Sequence, residues 1–260
     1  MLKIDPRGGS NRYNCNYDFF KKWSNEMAYV LGFLYADGDI VDAKSSRTQY
    51  IKFTSTDKEQ VVSIKRLLKS KHNISERPPR IGVFRNGSYL CKRSYSLRIG
   101  NRVMYDDLKR LGLSPNKSKT VKFPTTIPNK YLNQFIRGYF DGDGCVYLQI
   151  TRNKNQEDIP RRLRVIFTSG SKVFLYILRL KIKRFVGLKQ NKIYYSQGAY
   201  QIQYSTLDSV RLFKFLYKNS PENVYLKRKF DIFSRYFQMR PERIDKGIKK
   251  LLDMAWCPSS

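Results

Sequence analysis

Two apolar runs stand out along the chain, and they share one pattern. Val30-Leu31-Gly32-Phe33-Leu34-Tyr35-Ala36-Asp37-Gly38 and Ile136-Arg137-Gly138-Tyr139-Phe140-Asp141-Gly142-Asp143-Gly144 each carry two small residues four positions apart and end in Asp-Gly. That spacing predicts two helices. The first starts near Ser24, a good N-cap, and the second after Pro128-Asn129. Gly38 and Gly144 are expected to end them by permitting a turn. The pattern repeats further along. Tyr50–Ser55 and Arg164–Ser169 both end in Phe-Thr-Ser, and helical periodicity follows over Asp57–Leu68 and Ser171–Ile182. Tyr95–Ile99 and Tyr200–Tyr204 then alternate with the period of half-buried strands. Amphipathic helices over Tyr105–Leu111 and Ser209–Tyr217 close each copy.

The expected fold is therefore α+β, a pseudo-two-fold tandem repeat of αββαββα units with two motif helices packed at the centre. Residues 24–113 form the first half and 130–240 the second. Residues 114–129, with Pro115, Pro124 and Pro128, form a linker, and 1–23 and 241–260 are extensions. The motifs repeat at an offset of 106 and Phe-Thr-Ser at 114, so the second copy has a loop eight residues longer between them. The polar stretch Thr151–Pro160 is the expected loop that holds the excess.

Gly32 and Ala36 in one helix, and Gly138 and Gly142 in the other, lay small residues along one face of each. Packing those faces together brings Asp37 and Asp143 side by side at two helix C-termini. Carboxylates there oppose the helix dipole and repel each other, which costs stability unless cations neutralise them. Mg²⁺ suits such a site, with one or two carboxylates and the remaining ligands water or phosphate oxygen. Asp-Gly is also the commonest short turn signal, but its recurrence at matched places in a duplicated chain favours a shared function. Asp141-Gly142-Asp143-Gly144 resembles the start of a Ca²⁺ loop, yet Val146 stands where that loop needs glycine.

Charge points to the partner. With 51 Lys and Arg against 21 acids, the 260-residue chain carries a formal charge of +30, spread over its length. Such self-repulsion suits a protein that binds a polyanion, and nucleic acid is the expected partner. Apolar residues make up 41% of the chain, enough to exclude a disordered basic tail. One His and four cysteines without CxxC spacing (Cys15, Cys91, Cys145, Cys257) exclude a structural zinc site. Scattered cysteines suggest free thiols in a reducing compartment, cytoplasm or organelle matrix. No apolar leader and no membrane-length run is present.

The two motifs closely resemble the paired motifs of single-chain LAGLIDADG homing endonucleases, over roughly residues 24–235. Tyr35 stands where the family name has its first Asp. The resemblance implies a monomer that binds double-stranded DNA; two strand ribbons in tandem imply a site of roughly 20 base pairs, and the differing strand residues Arg98 and Gln203 a non-palindromic one. The resemblance implies two or three Mg²⁺ ions shared between Asp37 and Asp143 as metal ligands and catalytic acids. Cleavage of both strands across the minor groove would leave short 3′ overhangs. It also implies one catalytic lysine per half. Lys117 is nominated in Leu113–Lys119, with Lys119 in reserve, and Lys229 in Tyr225–Phe230, with Lys227 in reserve. Ser55 and Ser169 occupy places where the family often has a longer polar residue touching metal-bound water.

Bases should be read from the outward strand faces, which strand alternation assigns to Lys52, Thr54, Ser96 and Arg98 in the first half. In the second they are Arg162, Arg164, Gln201 and Gln203. The alternative reading is an intron maturase or a non-cleaving DNA-binding protein of the same fold. Protein splicing is not expected, since Met1 is no splicing nucleophile and Cys257-Pro258-Ser259-Ser260 lacks a His-Asn end.

Overall fold

A computed structural model describes residues 13–43, 48–84, 87–152, 155–189, 191–221 and 224–256. Residues 1–12, Cys257 and the middle of the expected 151–160 loop lie outside the described residues.

Helix α1 (Asn25–Ala36) starts at Ser24, whose side chain accepts a hydrogen bond from the Met27 N–H at 3.1 Å. It runs into β1 (Gly38–Ala43), β2 (Thr48–Ser55) and α2 (Lys58–Leu67). Then come β3 (Ile74–Arg77), β4 (Arg80–Phe84), β5 (Gly87–Cys91), β6 (Ser94–Gly100) and α3 (Arg102–Arg110). The second half repeats this as α4 (Leu132–Asp143), β7 (Gly144–Arg152), β8 (Asp158–Ser169), α5 (Lys172–Val186), β9 (Ile193–Ser196), β10 (Ala199–Tyr204) and α6 (Thr206–Tyr217). Two further helices, α7 (Lys227–Met239) and α8 (Lys246–Trp256), close the described chain. Each half has a four-stranded antiparallel sheet, ordered β1-β2-β6-β3 and β7-β8-β10-β9.

The expected αββαββα unit is present twice, with three differences. First, β4 and β5 form an extra ribbon in the first half, prolonging the β3–β6 hairpin beyond Pro78-Pro79. Ile81, Val83 and Leu90 on it are 73%, 82% and 73% exposed, so these apolar side chains lie outside the core. Second, the extra length at 151–160 lies largely in strand. β7 reaches Arg152 and β8 starts at Asp158, with a register irregularity between Gln149 and Ile150. Arg152 and Asp158 there are exposed while Pro160 is buried, so the ribbon faces solvent on one side. Third, the linker is packed. Val121, Phe123 and Ile127 are buried, and the Phe123 ring lies 5.3 Å from that of Phe135.

The core is built around α1 and α4, which pack in parallel. Every residue of α1 from Met27 to Tyr35 is buried, and so is every residue of α4 from Gln134 to Asp141. A Cβ on Gly32 would collide with the Phe135 carbonyl, and one on Gly138 with the Tyr29 carbonyl. A Cβ on Gly142 would strike the Ala36 methyl. Gly38 and Gly144 serve space rather than handedness: a Cβ there would run into Leu34 or Phe140, one turn back. Gly144 itself has extended backbone, φ −85 and ψ 162, so the turn there is a tight helix-to-strand passage.

Gly138→Val should force the helices apart and lower unfolding free energy by about 3 kcal/mol. Ala36→Gly should cost only about 1 kcal/mol. Urea unfolding of both variants checks this, and equal losses would contradict a backbone contact centred on Gly138.

Candidate active site

The parallel packing of α1 and α4 places two helix C-termini together. Asp37 is the C-cap of α1 and Asp143 the last residue of α4. Asp37 Oδ2 lies against Gly142, only 3.3 Å from where a Cβ would be. The Asp37 side chain reaches solvent and Asp143 is half-buried, so both can be approached from outside. Crowding by protein raises the Asp37 pKa, against the pull of Lys229 and Lys117. Asp143 is pushed up to about 7, first by desolvation and then by the Asp37 charge.

Two buried lysines lie on the protein side of this pair, and they match across the repeat. Lys117 sits in a 3-10 turn (Lys117–Lys119) and donates to the Gly38 carbonyl, with Ala36 O at 3.5 Å. Lys229, in the first turn of α7, donates to Gly144 O at 2.6 Å and Gly142 O at 3.3 Å. It also donates to Phe140 O at 2.5 Å and Asp141 O at 2.8 Å. Ala36 and Gly142, like Gly38 and Gly144, are related by the motif offset of 106. Each ammonium thus caps a helix end whose carbonyls lack partners and whose dipole is negative. Burial lowers the pKa of both lysines, that of Lys229 to about 8. Lys119 is exposed, and Lys227 is exposed and paired with Asp231 at 2.9 Å.

Two carboxylates beside these capped ends suit a hard divalent cation. Among the described residues there is no cluster of three or more His, Cys, Asp or Glu side chains, so protein would supply two ligand groups and leave other positions to water or phosphate. Ser55 and Ser169 make local hydrogen bonds. Each hydroxyl accepts a backbone N–H two residues on, from Asp57 and Ser171, both at 3.1 Å, and shapes the turn into the next helix.

Of the eight strand residues assigned outward, all lie off the core. Lys52 pairs with Arg98 and Thr54 with Ser96 across β2 and β6. The Arg98 guanidinium stacks 3.8 Å above the Tyr50 ring. Arg162 and Arg164 on β8 pair with Gln149 and Tyr147 of β7, and not with the glutamines of β10. Gln201 and Gln203 instead face Thr168 and Ile166. Tyr147 and Gln149 share these faces, alternating along β7 with Val146, Leu148 and Ile150, and Ser75 lies opposite Ser96 on the short polar strand β3, which carries little alternation to read.

Asp143 in an unfolded chain ionises near pH 3.9. Between that pH and about 7 the folded state keeps a proton that the unfolded state has lost, so this group's contribution to stability falls as pH rises through the interval. In metal-free buffer Asp143→Asn should therefore be more stable than the parent by about 2 kcal/mol at pH 8, with the gap closing toward pH 4.5. Urea unfolding at both pH values checks this, and a pH-independent gap would contradict it.

Residues 130–216 match the model of the LAGLIDADG-like domain. A probable translation initiation factor IF-2 of Thermococcus kodakarensis is 31% identical over 141 residues, 52% of this chain and 9% of that protein. The chain spans less than half the length of each curated relative it matches. Among solved structures, the homing endonuclease I-WcaI bound to its DNA recognition sequence aligns with a TM-score of 0.54 at 14% identity, over 82% of this chain and 88% of that one. The I-LtrWI LAGLIDADG homing endonuclease bound to target DNA aligns at 0.52 and 14%, over 92% and 97%. The chain thus carries a LAGLIDADG-like domain in its second half, and its two halves together have the fold of single-chain LAGLIDADG homing endonucleases.

Proposed function

We propose that this protein is a sequence-specific DNA endonuclease that uses Mg²⁺ to hydrolyse both strands of a long, non-palindromic site as a monomer, leaving short 3′ overhangs. The observation that carries this reading is the pairing of Asp37 with Asp143 at two parallel helix ends, in a chain of net charge +30. A surface that only binds DNA gains nothing from adjacent carboxylates, which repel phosphate. Asp37 and Asp143 hold the divalent ions. Bound there, Mg²⁺ supplies Lewis acidity and an activated water for phosphodiester hydrolysis. Lys117 and Lys229 hold the two helix ends in place and offset negative charge beside the scissile phosphates.

The outward strand faces read the bases. Lys52, Thr54, Ser96 and Arg98 serve one half-site, and Arg162, Arg164, Gln201 and Gln203 the other. Arg favours guanine edges and Gln adenine edges in the major groove. Arg98 and Gln203 occupy matched positions, opposite Lys52 and Ile166. With the β4–β5 ribbon in one half only, this supports a target whose two ends differ.

Incubation with a plasmid library of randomised sites and Mg²⁺ tests the reading. Double-strand cuts at one recurring asymmetric site are expected. Asp37→Asn and Asp143→Asn should each lower cleavage by roughly a hundredfold or more while DNA binding survives. Mg²⁺ should also raise the melting temperature of the parent more than that of either variant. Tight binding without cleavage by the parent would overturn the nuclease in favour of a maturase or regulator. Recovery of palindromes would overturn the asymmetric target.

A further inference from the structure

Asp141 belongs to the second motif, yet it neither faces the Asp37–Asp143 pair nor pairs with a surface cation. It is buried, and its Oδ2 accepts two hydrogen bonds, from the Tyr29 hydroxyl at 2.7 Å and from the Leu226 backbone N–H at 3.0 Å. Leu226 is the N-cap of α7, three residues before Lys229. Tyr29 in turn accepts from Gln60 Nε2 at 2.9 Å. A hydrogen-bonded chain therefore runs from α2 through α1 and α4 to the first turn of α7.

The matched position in the first motif is Tyr35. Its hydroxyl donates to the Leu111 carbonyl at 2.8 Å, and Leu111 lies six residues before Lys117. The surroundings correspond position by position but differ in chemistry. Where Asp141 accepts from Tyr29, which is itself bonded to Gln60, Tyr35 meets their counterparts Phe135 and Phe174, with ring centroids 5.2 and 6.2 Å away. Two unlike side chains at one repeat position thus make the same kind of link. Each ties its own motif helix to the segment that delivers its own lysine.

We propose that Asp141 and Tyr35 are positioning residues, each setting the placement of the lysine that serves one DNA strand. Asp141 acts on Lys229 through the Leu226 N–H, and Tyr35 acts on Lys117 through the Leu111 carbonyl. The inference rests on the nuclease reading above. Loss of either link lets one lysine segment drift while the metal-holding acids and the other lysine stay in place. The consequence is a strand-specific defect, because a small displacement of a reacting group costs rate steeply.

The test uses the full chain with two substrates bearing one copy of the recovered site: a supercoiled plasmid, which reports nicked circles, and a linear duplex with each strand end-labelled separately. Tyr35→Phe keeps the ring and removes only the hydroxyl. It should slow one strand by about tenfold and accumulate nicked circles. Asp141→Leu removes both acceptor bonds and should slow the opposite strand. Asp141→Asn retains an acceptor oxygen for both donors and should restore much of the balance between strands. DNA binding and melting temperature, measured in parallel, report folding. Equal slowing of both strands by Tyr35→Phe and Asp141→Leu, or a nick in the same strand for both, overturns the positioning role even while the parent cleaves. Should Asp141→Leu not fold, Tyr35→Phe decides alone: no strand bias there overturns the proposal. A parent that binds without cutting overturns the nuclease reading instead.

Discussion

The contact on which this architecture depends is backbone against backbone, where α1 and α4 meet. Gly32 rests on the Phe135 carbonyl and Gly138 on that of Tyr29, with no room for a side chain at either. Everything at the site follows from that closeness. Parallel helices in contact bring two C-terminal ends together, and with them two dipoles of the same sign and two carboxylates. The same packing that buries nearly all of both helices therefore creates a local excess of negative charge, which the fold must offset.

The offset comes from two buried ammoniums delivered by unrelated segments. Lys117 arrives on a short turn in the linker, and Lys229 at the start of a helix beyond the repeat. Both donate to carbonyls at the ends of the motif helices and to those of the glycines that follow. Chain segments outside the repeated motif are thereby as firmly part of the site as the motif itself. This explains why a proline-containing linker is packed, with Phe123 lodged against Phe135 and Phe174.

Much of this was legible in the sequence because it is written twice. The offset of 106 aligned Asp37 with Asp143 and the small residues of both helices, and period two assigned Leu97, Ile99 and Ile202 inward, where they are buried. Three things were not legible. The β4–β5 ribbon has no counterpart in the second half, so repetition could not reveal it. The role of Gly38 and Gly144 depends on contact with Leu34 and Phe140, which turn statistics do not contain. The hydrogen bonds of Ser55 and Ser169 to nearby N–H groups depend on the turn geometry, which strand and helix periodicity do not contain. Asp141 was visible as an acid in the motif, but its partners Tyr29 and Leu226 come together only in three dimensions.

The Tyr29–Asp141 link has a consequence for the duplication itself. A symmetric dimer built from two copies of the second half would present Phe135 where Tyr29 now stands and Phe174 where Gln60 stands. Each copy would then bury an Asp141 carboxylate with one of its two donors gone, a cost of about 1–3 kcal/mol for each. Two copies of the first half would carry the reverse mismatch, a tyrosine hydroxyl facing Tyr35 in place of an acid. The halves retain one architecture but have diverged into complementary pieces, and neither can return to being its own partner without rewriting the interface.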